Sequence, residues 1–471
     1  MFKLSSRKQN FTEGPLFVKI LLFALPIMCT SILQILYSMA DNVIVGSLSG
    51  DPLALAAVGS TGALINLVVN LLIGISAGTG VVIAQAYGAA DNELLSRATH
   101  TSVTFAAIAG IAFTVIGLAV TEPALIAMGT KEELVPKAVL YMYIICAGIP
   151  GSSIYNFAAA TLRSTGDSKT PLLILSSTGL LNVALNVFFV TVCHMSVEGV
   201  ALATIISQYV SAIWVIAVLK RRKDEAYAFS FKKLGIHLPT LIRVLKYGVP
   251  AALQSAMYSI SNVLITSATN IFSTAQISAK TIVGNIDGIA YVAMNSYLHA
   301  SMTVTAQNYG AKKIARIRRA FGYSLLQVTL IGLISCSVLL IFREPIIKLY
   351  IDGADPNREA IINCAKELLI ILLGFYTLCG IQETLAGTLR GLGYALIPMV
   401  INLIVICGVR IVWIYAIFYG IPVMKTIAGL FLVYPVSWAL AVIALGICCA
   451  IALKKLKKIE QTALLDSALT K

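Results

Sequence analysis

Five charged side chains sit inside long apolar runs of this 471-residue sequence: Asp41, Lys280, Asp287, Glu383 and Arg410. A charge held in hydrocarbon costs at least ~2.5 kcal/mol at the bilayer centre, so each is a candidate for carrying a proton, a cation or a charged solute. Asp41 follows 24 residues from Phe17 to Ala40, ~36 Å of helix, and could therefore be a solvated acid at a helix end. Against that, Val43-Ile44-Val45 continues the apolar run, and Gln34 and Tyr37 lie seven and four residues earlier on the same face. Asn182 and Asn186 are four apart, so both amides face one way and could offer oxygens to a cation or hydrogen-bond a neighbouring helix. Thr204 reads as a small hydroxyl residue packed between helices. Lys280 and Asp287 are two turns apart, too far for direct contact; Lys280 is expected to snorkel, and the role of Asp287 stays open.

No enzyme chemistry emerges from the remaining reactive residues. The cysteines at 29, 146, 336, 407, 448 and 449 lie in apolar runs without ligand-like spacing, as small packing residues do. The histidines at 100, 194, 237 and 299 are scattered, so neither a His/Cys metal site nor a His-based catalytic cluster is expected. A glycine-rich phosphate loop is also missing, which argues against ATP as an energy source.

The elements that carry these residues are membrane helices. Hydrophobic residues make up 58% of the chain and charged ones 12%, about half the share of an ordinary soluble domain. Runs long enough to cross ~30 Å of hydrocarbon centre on 17–40, 54–82, 99–121, 136–160, 170–193, 199–219, 242–269, 275–304, 320–342, 361–386, 395–419 and 426–453. The net charge of +14, from 35 Lys+Arg against 21 Asp+Glu, gathers beside these runs and points to topology rather than to nucleic acid. Basic clusters at 220–223, 232–233, 312–319 and 454–458 occupy alternate loops. With Lys3, Arg7 and Lys8 ahead of the first run, they place both termini in the cytoplasm of a multi-pass plasma-membrane protein, which requires an even number of spans. The first run is too long for a cleaved signal peptide and is expected to remain as a helix.

The chain also repeats itself. Ala84-Gln85-Ala86-Tyr87-Gly88-Ala89 returns as Ala306-Gln307-Asn308-Tyr309-Gly310-Ala311, and Thr161-Leu162-Arg163-Ser164-Thr165-Gly166 returns as Thr388-Leu389-Arg390-Gly391-Leu392-Gly393. Both pairs fall at equivalent places in a six-plus-six plan, after the second and fourth helix of each half. The expected fold is all-α, about twelve transmembrane helices in two six-helix lobes, 1–230 and 231–471, related by pseudo-twofold symmetry. Lys220 to Leu241 is the natural linker. Arg163 and Arg390 are assigned to repeated cytoplasmic loops. Glu383 falls at the repeat position of Asn156; pairing is favoured for Arg410 and cavity lining for Glu383.

With Ala24-Leu25-Pro26 opening the first helix, Ala40-Asp41-Asn42-Val43-Ile44-Val45-Gly46 closing it, and the paired AQ-x-YGA and TLR-x-x-G segments, the chain resembles the MATE family of multidrug and toxic compound extrusion transporters along essentially its whole length. The resemblance implies a secondary active antiporter that exports organic cations or other drugs by alternating access in exchange for H⁺ or Na⁺, with no resident cofactor. Members with a cation site in the N-terminal lobe use an acid of helix one with polar residues of helices five and six, which implies Asp41, Asn182, Asn186 and Thr204. Those members carry a second acid where this chain has Asn186, so the site holds one formal negative charge. A second branch places acids on helices seven and ten, where this chain has Gln254 and Cys379. Gln34, Tyr37, Asn156, Gln254, Asp287, Glu383 and Arg410 are the candidates for the substrate cavity. A proton route requires Asp41 to be protonated near neutrality, which only desolvation achieves, whereas Na⁺ requires it ionised and joined by further oxygens. The expected partners are a small-molecule substrate and the bilayer, with the protein a monomer. A flippase for a lipid-linked sugar is the related alternative, and a membrane-embedded enzyme the more distant one.

Overall fold

A computed structural model describes residues 9–48, 50–51, 53–351 and 356–469, with side chains through 462; Lys3, Arg7 and Lys8 lie outside the described residues. Helices make up most of the described chain and no strand occurs among the described residues, because in hydrocarbon every backbone N–H and C=O must be satisfied within its own segment. The long helices are α1 (Leu16–Leu48), α2 (Ala54–Gly88), α3 (Asn92–Ala127), α4 (Val135–Ser164), α5 (Lys169–Val187) and α6 (Val197–Arg221) in the first half. The second half has α7 (Leu238–Ala268), α8 (Thr274–Gly310), α9 (Ile314–Ile341), α10 (Arg358–Gly391), α11 (Leu396–Phe418) and α12 (Val433–Leu469). Ten of them are long and apolar enough to cross a membrane; α7 and α8 have the length but carry too many polar residues.

The helices pack as two compact units. Unit 1 comprises Met1–Asn10 and Cys29–Ala252, and unit 2 Phe11–Met28 and Leu253–Lys471. The expected lobe boundary at 230/231 falls inside unit 1. Two helices change unit midway: α1 just after Pro26 and α7 just after Pro250. Each proline removes one backbone donor from its helix.

In unit 1 the first half of α7 lies directly on α2. A Cβ on Gly78 would stand 2.2 Å from the Val244 carbonyl oxygen and 2.5 Å from the Gly248 nitrogen, so only glycine permits this crossing. The core of this region runs from Val82, Ile83 and Leu95 through Tyr155 and Leu162 to Val244. In unit 2 the first half of α1 and the segment before it are buried in kind: Phe11, Ile20, Phe23 and Ala24 share a core with Ile286, Tyr297, Leu368 and Leu372.

The repeated AQ-x-YGA segments explain both attachments. They are not the loops expected but the last turns of α2 and α8, because Ala, Gln and Tyr continue a helix; the chain turns away two residues after each glycine, at Ala90 and Lys312, which take left-handed backbone. Gln307 accepts a hydrogen bond from the Phe11 backbone N–H (3.2 Å), and Asn308 donates to the Phe11 carbonyl (3.2 Å). In the matching position Gln85 accepts from Arg243 at the start of α7 (2.9 Å). Each glutamine thus anchors the entry of a helix that leaves for the other unit. Arg163 and Arg390 likewise belong to the last turns of α4 and α10 rather than to loops. Arg390 is buried and donates to Gln254 (2.7 Å).

Candidate functional site

A cavity of about 390 Å³ opens within unit 1, with Asp41 on its wall. Four helices line it, with a fifth behind them: α1 supplies Ser38, Asp41 and Asn42, α2 supplies Asn66, α4 supplies Tyr141 and Ser152, and α6 supplies Thr204 and Gln208. The fifth, α5, stands behind Asp41 and holds it. Asn186, fully buried, donates its amide to the Asp41 carboxylate. The same amide donates to Asn182 Oδ1 (3.3 Å), and Asn182 donates in turn to Thr204 Oγ1 (3.4 Å), which returns a bond to the Val200 carbonyl (3.0 Å). The four residues assigned to one cation site therefore form one connected polar chain through α1, α5 and α6. The i, i+4 spacing of the two asparagines makes this possible, since it puts both amides on the same stripe of α5.

The chain is incompletely satisfied. Asn186 Oδ1 and Gln208 Oε1 are buried without a partner among the described residues. Buried oxygens of this kind cost free energy unless something donates to them or a cation meets them. A π-helical turn, Phe188–Val192, begins two residues after Asn186; such turns are rare and concentrate at functional positions.

The other first-half candidates stand around this cavity rather than on its wall. Tyr37 packs against Gly179 of α5, where an added Cβ would meet its ring at 1.9 Å, and donates to the Ser176 carbonyl (3.0 Å). It fixes the α1–α5 contact one turn before Asp41. Asn156 donates to the Ser152 carbonyl (2.9 Å), one turn from the lining, and Gln34 is exposed.

The remaining candidates gather in unit 2. Arg410 is buried and forms no ion pair with Glu383 among the described residues, contrary to the favoured pairing; it donates to Ser261 Oγ and Asn262 Oδ1 (both 3.1 Å) and sits 4.6 Å from the centroid of the Tyr434 ring. The aromatic face and two neutral oxygens take the place of a carboxylate, which a delocalised guanidinium accepts. Glu383 is buried on α10, near Arg390. Gln254, buried, is held by Arg390. Asp287 is half-buried near Tyr376 and Tyr434. Lys280 does not meet it and donates to Thr266 Oγ1 (2.9 Å). Two π-helical segments flank Arg410, Leu403–Gly408 and Trp413–Phe418, so π turns accompany the polar cluster of each unit.

Several site residues escaped the sequence reading. Asn66 and Gln208 line the unit 1 cavity, and Gln382 donates to Tyr258 (2.6 Å) and to Asn402 (3.3 Å) in unit 2. All are amides within apolar runs, the same signal that marked Asn182. Gln208 also stands four residues after Thr204, on one face of α6.

An all-helical chain with ten helices long and apolar enough to cross a membrane, and with polar side chains buried in each of its two units, has the build of a membrane transporter. Comparison with known proteins narrows this class. The MatE family model matches the chain twice, over residues 26–188 and 250–416, once for each half of the internal repeat, and the chain belongs to the MatE family of multidrug efflux transporters. It is 27% identical to Probable multidrug resistance protein YoeA of Bacillus subtilis, covering 90% of this chain and 91% of that one. It is 28% identical to Probable multidrug resistance protein NorM of Thermotoga maritima, covering 82% of each. The FAD transporter of Shewanella oneidensis is 22% identical over 78% of this chain and 80% of its own. Among solved structures, an outward-facing multidrug resistance MATE family transporter of the MOP superfamily superposes with a TM-score of 0.87 at 21% identity, over 97% of this chain and 100% of that one.

Proposed function

We propose that the chain is an ion-coupled antiporter of the plasma membrane, acting as a monomer with both termini in the cytoplasm, and that Asp41 carries the coupling ion, H⁺ or Na⁺, while organic cations are exported. The observation that carries this reading is the polar chain itself. The one acid that faces the unit 1 cavity is tied through Asn186 and Asn182 to Thr204, so three helices respond together to the state of a single carboxylate. The residues present suit either ion. A proton needs the carboxylate alone. Na⁺ needs additional oxygens, and the unpartnered Oδ1 of Asn186 beside Asp41 is one, with Thr204 Oγ1 further along the chain. The acids Asp287 and Glu383 of unit 2 support a cationic substrate, because a buried carboxylate gains most from a cation that leaves water with it.

Purified protein in liposomes, with a pH or a Na⁺ gradient imposed separately, tests the assignment. Asp41→Asn keeps the shape and the partner amide but cannot exchange either ion. Gradient-driven substrate movement is expected to fall to the level of empty liposomes, with binding of substrate to the detergent-solubilised variant retained. Coupled transport at the wild-type rate in Asp41→Asn would overturn the proposal. Which gradient drives the wild type decides between the two ions.

A further inference from the structure

We propose that a basic groove between α9 and α12 of unit 2 binds an anionic phospholipid, its phosphate among Arg318, Arg319, Lys454 and Lys457 and its acyl chain against Phe321 and Leu453. The groove measures about 900 Å³, and among the described residues no acidic side chain lines it. Its four cations are exposed, and none forms an ion pair among the described residues. On α9, Arg318 and Arg319 occupy the second turn; on α12, Lys454 and Lys457 are three apart on one face. Like charges converging from two helices repel each other unless an anion lies between them.

The level of the groove fits a lipid headgroup. Lys454 comes 21 residues after Val433, the start of α12, about 32 Å along the helix, so it emerges where ~30 Å of hydrocarbon ends. From Ala320 to Ile341 α9 carries no charged residue and is likewise long enough to span, which places Arg319 at the same boundary. Phe321 and Leu453 then lie just inside the hydrocarbon. Basic pockets between helices at this depth suit acidic headgroups.

The internal repeat supplies an independent reason. Ser96 and Arg97 of α3 correspond to Arg318 and Arg319 of α9, and the buried pairs Leu95 and Ile317, Ala98 and Ala320 keep the same register. In unit 1 the linker closes over the next turns of this face of α3 and leaves a smaller pocket of about 290 Å³, with Arg97 still exposed. The linker donates backbone N–H groups from Ser230 to His100 (3.0 Å), from His237 to Thr101 (3.1 Å) and from Gly235 to Thr104 (3.3 Å). In unit 2 the counterparts of His100 and Thr104, Gly322 and Leu326, stay open, the counterpart of Thr101, Tyr323, meets Phe17 of α1 (ring centroids 5.7 Å apart), and the position of Ser96 is taken by a second arginine. The groove that the linker narrows in one unit stays wider in the other, about 900 Å³ against 290 Å³, and carries two arginines side by side.

The test uses full-length protein in detergent, by native mass spectrometry against phosphatidylglycerol and phosphatidylcholine. One phosphatidylglycerol molecule is expected to remain bound under conditions that strip phosphatidylcholine. Each cation near an anionic headgroup strengthens its attachment by roughly fivefold, so Lys454→Gln/Lys457→Gln and, separately, Arg318→Gln/Arg319→Gln should each weaken retention by roughly 25-fold. Lys232→Gln/Lys233→Gln, which removes two cations from the linker of unit 1, should leave retention unchanged. Two helices tested independently guard against one variant failing to fold. Equal retention in the groove variants, an equal loss in the linker variant, equal binding of phosphatidylcholine, or displacement of the lipid by millimolar inorganic phosphate would each overturn the proposal. None of these measurements depends on transport or on the orientation proposed above, so failure here leaves the coupling assignment untouched, and failure there leaves the lipid site standing.

Discussion

Gly179→Ala is a one-carbon change that reaches Asp41 through Tyr37. The added Cβ would lie 1.9 Å from Tyr37 Cε2, 2.2 Å from Cζ and 2.4 Å from Cδ2. Ordinary contact begins near 3.4 Å, so the ring or its helix must retreat by about 1.5 Å. If the ring swings away, the bond from Tyr37 to the Ser176 carbonyl is lost, at ~1 kcal/mol. If α1 moves instead, Asp41, one turn further on, withdraws from Asn186. Forcing one carbon into a packed contact costs about 1–3 kcal/mol, so the total is roughly 2–4 kcal/mol. Thermal unfolding of the purified variant should drop by several degrees, and gradient-driven efflux at matched expression should fall at least fivefold. The Tyr37→Ala background removes the obstacle, so Gly179→Ala should cost there less than half what it costs in the wild type, a coupling of at least about 1–2 kcal/mol in the double-mutant cycle. The same loss in both backgrounds, or wild-type efflux with Gly179→Ala alone, would refute the chain of contact from α5 through Tyr37 to Asp41.

Two further outcomes follow from polar contacts near the helix ends. Asp51, in the loop after α1, accepts from Lys137 (2.6 Å) and Ser196 (2.7 Å), and these partners, Lys137 first, hold its carboxyl below the usual value of 3.8. A depressed pKa in the folded state stabilises above the unfolded value and is lost as pH falls through the lowered one, so the wild type should lose thermal stability below about pH 4 more steeply than Asp51→Asn, and identical acid limbs in thermal unfolding would count against the contact. Gln307→Leu leaves the Phe11 N–H without its side-chain acceptor in a buried setting, at about 1–3 kcal/mol, whereas Gln85→Leu releases a half-buried guanidinium that water can still solvate; the first should lower the unfolding temperature more than the second.

The sequence determined a great deal about this protein. Twelve long helices, two halves and membrane residence follow from run length, charge placement and the two repeated segments, because the hydrocarbon imposes a length and forbids unpaired backbone. The α5 asparagine pair and Asp41 were legible for the same reason: polar groups stand out where the solvent is apolar. The sequence did not disclose the neighbours. A membrane helix is apolar on every side, so periodicity does not tell which face meets protein and which meets lipid. Only the tertiary structure shows that α1 begins in unit 2 and ends in unit 1, and that α7 does the reverse. It alone gives the repeated glutamines their task of holding those two entries, and turns Arg410 from the expected partner of Glu383 to Ser261, Asn262 and Tyr434. Spacing along one helix fixes which residues share a face, but a contact between helices is fixed by how closely their backbones approach, and here that is decided by glycines such as Gly78 and Gly179.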